Sequence, residues 1–409
     1  MMPGVRVRLS LMMFLQFFIW GSWFVTLGSY LAINLHASGA QSALAYSTQS
    51  WGAIIAPLLV GLIADRYLNA ERLLGLIHLV GSALLYLLSR APAFGGFYPL
   101  LLGYMILYMP TLALVNAVAL RQMDDASKHF ASIRVWGTLG WIVAGLAISY
   151  GFSWDSASAL AAGLLRNTFV MCSIASLLLG LYSLTLPATP PKIGPYRRVG
   201  LGQFLGLEAL SQLRQHNFRV FFVASILICI PLAFYYQHAN QFLTEIRVTH
   251  AAGKQTLGQI SETGFMLLMP YCLARLGTKG TMLLGMLAWA LRYLLFAFGN
   301  AHELAWMLLV GIALHGVCYD FFFVSGQIYT DSKAGDHSKS AAQGMITVAT
   351  YGVGMLIGFW LAGQITDIYA RGEVHEWRAI WLYPAAFAAA VFVMFALSFK
   401  NDPPGLKDE

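Results

Sequence analysis

What most constrains this 409-residue chain is how little charge it carries: 25 Lys and Arg with 18 Asp and Glu, 11% of the residues, against 58% apolar ones. A soluble domain holds about 25% charged residues, so this composition cannot cover a water-facing surface of its own size. Disordered proteins, ordinary cytosolic enzymes and nucleic-acid binders with a charged face are thereby excluded. The apolar residues gather in runs at about 9–35, 42–65, 72–90, 97–120, 132–152, 164–187, 217–243, 255–275, 279–298, 302–329, 339–369 and 378–400. Each is long enough for one crossing of about 20 residues, which predicts an all-α polytopic membrane protein of twelve transmembrane helices. The one long polar gap, 188–216, holds Pro187, Pro190, Pro191 and Pro195 with Lys192, Arg197 and Arg198. It divides the spans six and six: an N-terminal six-helix bundle over 1–187, a cytoplasmic linker over 188–216 and a C-terminal six-helix bundle over 217–409.

The basic residues orient these spans. With the N-terminus inside, only Arg90, Arg166, Arg247, Lys254, Arg292, Arg371 and Arg378 of the 25 Lys and Arg face the far side. Such an asymmetry predicts both termini in the cytoplasm. The first run exceeds the 7–15 apolar residues of a signal peptide and is read as a span. Cys172, Cys229, Cys272 and Cys318 all lie inside apolar runs without ligand or redox spacing and are read as core residues. No Walker, Rossmann, zinc-protease or nucleophile-elbow pattern occurs. The reading is therefore of neither an enzyme nor a hydrolysis-driven pump, with no cofactor and no metal.

A charge at the bilayer centre costs roughly 2.5–3.5 kcal/mol on insertion scales, so a retained one is a functional candidate. Three lie inside a span or at its inner end: Arg134 in the fifth, Glu262 in the eighth and Asp320 in the tenth. Asp367 and Arg292 fall near outer ends, where snorkelling explains them. Glu262 has Gln259 at i−3 on its face, so a carboxyl and an amide stand together; an interhelical hydrogen bond is the structural alternative. Asp320 sits among aromatics in HGVCYDFFFVSGQ, where only its protonated form escapes a desolvation cost, as a proton carrier requires; a permanent ion pair is the alternative. Arg134, Thr138 and Trp141 follow at i, i+4 and i+7 and put a guanidinium, a hydroxyl and an indole on one stripe, suited to a polar planar solute; an interface anchor is the alternative for Arg134. Further stripes (Gln16, Trp20 and Trp23; Tyr108 and Thr111; Thr347 and Tyr351; FYYQHANQF at 234–242) can converge with these on one polar cavity. His78, His238 and His315 are singletons read as hydrogen-bonding groups, His315 with a possible cavity face one turn before Tyr319.

Two resemblances follow. GLIADRYLNAER at 61–72 resembles the cytoplasmic loop signature of the major facilitator superfamily, with Gly61, Asp65, Arg66 and Arg72 in a short turn, although the family's usual Gly before the last basic pair is absent. The runs FLQFFIWGSWFVTLGSY at 14–30, YMPTLALVN at 108–116, IRVWGTLG at 133–140, GLEAL at 206–210, QISET at 259–263 and YDFFFVSG at 319–326 together resemble the nucleoside:proton symporters, bacterial nucleoside permeases of that superfamily. The likeness implies the major facilitator fold and a central nucleoside site. By motif, Arg134, Thr138 and Trp141 would line it from the fifth span, Gln259 and Glu262 from the eighth, Tyr319 and Asp320 from the tenth, with Asp320 and Glu262 in proton coupling. The seventh span departs from the family's amide pair, Tyr236 and Gln237 standing among the candidates, and His315 occupies a position where tyrosine is expected.

The expectation is a monomeric, proton-coupled importer of nucleosides in the bacterial inner membrane, working by alternating access between two bundles. Its partners are the solute, protons and the bilayer, and not nucleic acid. The alternatives are a facilitator for another polar solute such as a sugar or nucleobase, or an exporter.

Overall fold

The computed structural model describes residues 3–59, 67–191, 207–334, 339–372 and 374–400. In hydrocarbon every backbone N–H and C=O must find its partner within the chain, and long apolar runs meet that demand as helices. They are α1 (Pro3–Trp23), α2 (Leu27–Asn34), α3 (Gly39–Leu59), α4 (Ala70–Arg90), α5 (Phe94–Arg121), α6 (Ala126–Leu146), the short α7 (Ala157–Ala161) and α8 (Asn167–Ser183). After the gap follow α9 (His216–Glu245), α10 (Ala251–Phe298), α11 (Ala305–Tyr319), α12 (Ser325–Lys333), α13 (Lys339–Thr347), α14 (Met355–Ile368) and α15 (Trp377–Ser398). The two-residue strands β1 (Ala370–Arg371) and β2 (Val374–His375) pair antiparallel before α15.

Ten helical stretches among the described residues are long and apolar enough to cross a membrane. Twelve runs were expected, and the two differences have plain causes. Helix α10 is 48 residues long, about 72 Å at 1.5 Å per residue, more than twice a hydrocarbon core of about 30 Å. It turns at Gly277, whose φ of 66° and ψ of 178° no helix contains, so the two runs predicted at 255–275 and 279–298 are separate limbs. The run predicted at 42–65 begins as α3 and continues past Leu59 into residues outside the described set, as do Gly61, Asp65 and Arg66 of the predicted loop. Arg72 lies exposed in the first turn of α4.

Helices α1, α4, α5, α6 and α8 pack on one another, with α3 on α5; α9, α10, α11, α14 and α15 do the same after the gap. Small residues set the distances. A side chain on Gly140 would run into the Phe14 carbonyl, and Gly354, just before α14, and Gly358 within it seat against Cys229 and Ala233 of α9.

The two sets meet where α3 touches α14, α2 touches α9 and α6 touches α10. Among the described residues the hydrogen bonds that join them cluster at one end. Asp367 accepts from the backbone N–H of Gly39 at 2.6 Å and of Ala40 at 2.8 Å, capping α3 with a carboxylate from α14. Ser29 donates to Asn240 at 2.6 Å. Asp155 accepts from Ser149, whose hydroxyl in turn accepts from Gly253 N–H at 2.7 Å. Gly39 and Gly363 touch backbone to backbone. The snorkelling expected of Asp367 is thus replaced by a cap.

Gly140→Ala is expected to lower thermal stability in detergent by about 1–3 kcal/mol, the usual cost of overpacking. Gly103→Ala, where an added Cβ meets nothing within 4 Å, is the control and should leave the unfolding temperature unchanged.

Candidate functional site

The break between α1 and α2 opens one wall of a cavity between the two sets of helices. Phe24 and Val25 line it from that break, Trp141 from α6, Tyr235 and Tyr236 from α9, and Gln255, Thr256 and Gln259 from α10. Trp141 is held edge-on by Trp20, centroids 5.6 Å apart at 62°, and Tyr236 packs on Phe24 at 5.6 Å. Aromatic rings at fixed angles, with amides beside them, suit a planar ligand that also carries hydrogen-bonding edges.

Next to this cavity lie the ionisable groups. Arg134 is within electrostatic reach of Glu262, Tyr319, Tyr351 and Tyr108; Glu262 is within reach of Asp320; Tyr236 is within reach of Tyr319 and Glu262. The Arg134 guanidinium lies 4.1 Å above the Phe17 ring and closes no ion pair among the described residues. Glu262 is half-buried, again without a partner among them. Asp320 is fully buried, and neither carboxyl oxygen has a hydrogen-bond partner. The permanent ion pair weighed for Asp320 is not formed among the described residues. Gly316 makes the neighbourhood: a Cβ there would stand 2.6 Å from the Glu262 nitrogen, so α11 lies directly on α10, with Gly316 N–H donating to Ser261 at 3.2 Å. Asp320 opens a π turn, Asp320–Val324, and Tyr351 sits in another, Val348–Gly354; the two hydroxyls of Tyr319 and Tyr351 join the turns at 2.6 Å. Wide turns of this kind recur at functional positions in helices.

Of the residues singled out by sequence, Arg134, Thr138 and Trp141 do follow one another along α6, with Thr138 half-buried. Tyr236, Gln259, Glu262, Tyr319 and Asp320 gather around the same space. Gln237 does not. Its amide reaches the Gly39 carbonyl at 3.4 Å, in the contact that joins α9 to α3. His315 stands one layer back, stacked on Tyr235 at 5.5 Å and 23°.

Sequence reasoning missed three features. Gln255 lines the cavity and accepts from Asn240 at 2.7 Å; its signal was its place one turn before Gln259. Phe24 and Val25 belong to a helix break that no proline or glycine pair announces. Arg292 was read as snorkelling and is instead 0% exposed: its guanidinium stacks on the Tyr235 ring at 3.3 Å and donates to His315 Nδ1 at 3.2 Å. Position along a span gives a residue's depth, and the helix face decided otherwise.

Gln16, Thr111, His78 and His238 are structural. Gln16 donates to Thr111 at 2.7 Å and shares its oxygen with His78 Nε2 at 2.9 Å, while His78 Nδ1 meets Ser176 at 3.0 Å. His238 bonds Thr366 at 2.9 Å.

The sequence profile of the nucleoside H+ symporter family matches residues 3–403. The xanthosine permease of Escherichia coli (strain K12) is 33% identical, covering 99% of this chain and 98% of that protein. The nucleoside permease NupG of the same organism is 30% identical over 97% of this chain and 96% of its own. The crystal structure of the nucleoside transporter NupG superposes with a TM-score of 0.86 at 29% identity, over 98% of this chain and 100% of that one. A transporter of the POT family, PepTSo, at 16% identity and a TM-score of 0.73, shares the fold alone.

His78→Ala leaves the buried Gln16 oxygen without its partner. The expected cost is about 1–3 kcal/mol, read as a lower unfolding temperature in detergent, with ligand affinity unchanged.

Proposed function

The chain belongs to the nucleoside H+ symporter family, and from that premise we propose how its geometry carries a nucleoside and a proton together. It is a multi-pass membrane transporter that imports nucleosides coupled to protons. The architecture is two six-helix bundles, 1–187 and 217–409, joined by a cytoplasmic linker over 188–216. The twelve crossings are the ten apolar stretches, the second limb of α10 after Gly277, and α3. Both termini are cytoplasmic in the bacterial inner membrane, in keeping with the distribution of Lys and Arg, and the unit is a monomer.

The hydrogen bonds of Asp367, Ser29 and Asp155 then seal the outer end, and the molecule is poised open to the cytoplasm. The nucleoside lies between Trp141 and Tyr236, its base against the rings. Its polar edges meet Thr138, Gln259, Gln255 and Tyr319, with Arg134 and His315 alongside. Glu262 and Asp320 carry the proton. Gln237 serves the outer closure rather than the solute.

The observation that carries this reading is that Arg134 on one bundle and Glu262 and Asp320 on the other lie within electrostatic reach along a chain, Arg134 to Glu262 and Glu262 to Asp320, with no ion pair formed among them. Each such charge costs several kcal/mol to keep in a membrane, and a static scaffold would pair or lose it. One proton moving through 100 mV supplies about 2.3 kcal/mol, enough for roughly fortyfold accumulation of a neutral solute. Protonation of the carboxyls when the cavity faces outward removes their negative charge before the site is enclosed, and release to the cytoplasm restores it.

Asp320→Asn and Glu262→Gln, reconstituted in proteoliposomes with an imposed proton gradient, are expected to lose accumulation at least tenfold while nucleoside counterflow persists. Accumulation at wild-type level by Asp320→Asn, or wild-type uptake indifferent to a protonophore, overturns the coupling assignment. A competition panel of nucleosides, nucleobases and sugars separates a nucleoside site from one for another polar solute. The closure has its own test. Gly363→Leu should push α14 off Gly39 at the outer end, so that a cysteine at Val25 reacts at least several-fold faster with an impermeant thiol reagent added outside.

A further inference from the structure

Arg292 is the only Lys or Arg buried in the interior among the described residues, and nothing in the coupling reading uses it. It is 0% exposed, within a span, and pairs with no carboxylate among the described residues. Its Nε and one terminal nitrogen have no hydrogen-bond partner within 3.5 Å among the described residues. What it does touch is specific: the face of Tyr235 at 3.3 Å and the Nδ1 of His315 at 3.2 Å. The Tyr235 and His315 rings lie nearly parallel, 5.5 Å apart and 23° from coplanar, so the three side chains form one stacked unit whose Tyr235 lines the cavity.

The chemistry of that unit is restrictive. A guanidinium has five N–H donors, no acceptor, and does not deprotonate in proteins. The Nδ1 that receives its hydrogen must therefore carry a lone pair, and the imidazole proton must sit on Nε2. His315 Nε2 takes no partner among the described residues, and it is not one of the orphan polar atoms cut off from solvent. His315 faces Gly258, where an added Cβ would meet its ring carbons at 3.4 and 3.5 Å, one residue from Gln259 of the cavity lining; Tyr319 follows one turn on, its centroid 5.9 Å away.

We propose that Arg292 is a positioning residue that locks His315 as an N–H donor toward the transported nucleoside, so that this point of the site accepts only an oxygen or nitrogen lone pair: a ribose oxygen or a base carbonyl. A tyrosine at this position could donate or accept; the Arg292–His315 pair removes the second option and turns a permissive contact into a selective one. A mismatched ligand N–H facing Nε2–H would leave two buried donors opposed, the kind of unpaired polar contact by which binding sites reject close analogues. The inference rests on the nucleoside reading of the cavity, and its test separates the two.

The first measurement is spectroscopic and independent of ligand identity. In full-length protein labelled with nitrogen-15 histidine and assigned by loss of the signal in His315→Phe, His315 should show a protonated Nε2 and an unprotonated Nδ1. A protonated Nδ1, or an imidazolium, overturns the proposal. The second is a competition series using a nucleoside that the wild type transports and its analogues lacking one oxygen each: 2′-, 3′- and 5′-deoxy forms and a form without the base carbonyl. One analogue should bind at least tenfold more weakly than the parent in wild type. In His315→Phe and in Arg292→Met that penalty should fall below threefold, with the penalties for the other analogues unchanged. Arg292→Gln, whose amide can still donate to Nδ1, should keep it. If His315→Phe alters no penalty, His315 does not touch the solute, and the placement of the nucleoside fails with the proposal. If His315→Phe removes the penalty but Arg292→Met preserves it, the site reading stands and the positioning role is wrong. If Arg292→Gln behaves as Arg292→Met does, the charge rather than the donated hydrogen bond is what matters, and the proposal again falls.

Discussion

The cost of taking polar groups out of water governs everything described above. In hydrocarbon an unpaired backbone group costs several kcal/mol, so the chain is helix almost throughout, and helices can approach only where glycines such as Gly140, Gly316 and Gly358 remove the side chain between them. The same cost acts on side chains. Most polar groups in the interior are therefore spoken for, as in the Gln16, Thr111, His78 and Ser176 network. Against that background the carboxyl oxygens of Asp320, without a hydrogen-bond partner among the described residues, are conspicuous, and they are what the proposed proton coupling builds on.

The closure at one end obeys the same economy. It is made of few hydrogen bonds, and several of them end on backbone groups: Asp367 on the first turn of α3, and Ser149 on Gly253. Net contributions of about 0.5–1.5 kcal/mol per hydrogen bond put a handful of such contacts on the scale of the 2.3 kcal/mol that a proton gains in crossing 100 mV. A closure much stronger than this would hold the carrier in one state, and a much weaker one would let solute and protons pass independently. Backbone N–H groups serve well here, since their direction is set by the helix and no rotamer has to be ordered each time the contact re-forms.

Much of this was legible in the sequence, and for identifiable reasons. The apolar runs mark the helices because length and hydropathy are the requirements of the bilayer itself, and Arg134, Glu262 and Asp320 stood out because a charge inside a run is expensive wherever it faces. What did not transfer was azimuth. Gln237 was named a candidate with Tyr236 from the seventh span's aromatic and amide cluster, yet adjacent residues on a helix point about 100° apart, and Gln237 turned to Gly39. Arg292 was misread for the same reason. Depth near the outer end of a span allows snorkelling, but only for a side chain that faces out, and this one faces Tyr235. The turn at Gly277 and the break after Trp23 lie beyond a reading by hydropathy, which sees apolar residues on both sides of each.

The π turns at Asp320–Val324 and Val348–Gly354 carry one consequence of their own. A π turn holds one residue more than the helix around it needs, and it behaves as an insertion that the helix has absorbed without unfolding. Everything beyond it is rotated by about 100° relative to an uninterrupted helix. The faces of α12 and α14 are therefore set by counting as much as by chemistry. Removing a single residue from either turn would leave the composition of the helix nearly untouched and yet swing its whole distal part to a different neighbour. In such segments length specifies the contacts as strictly as any side chain does.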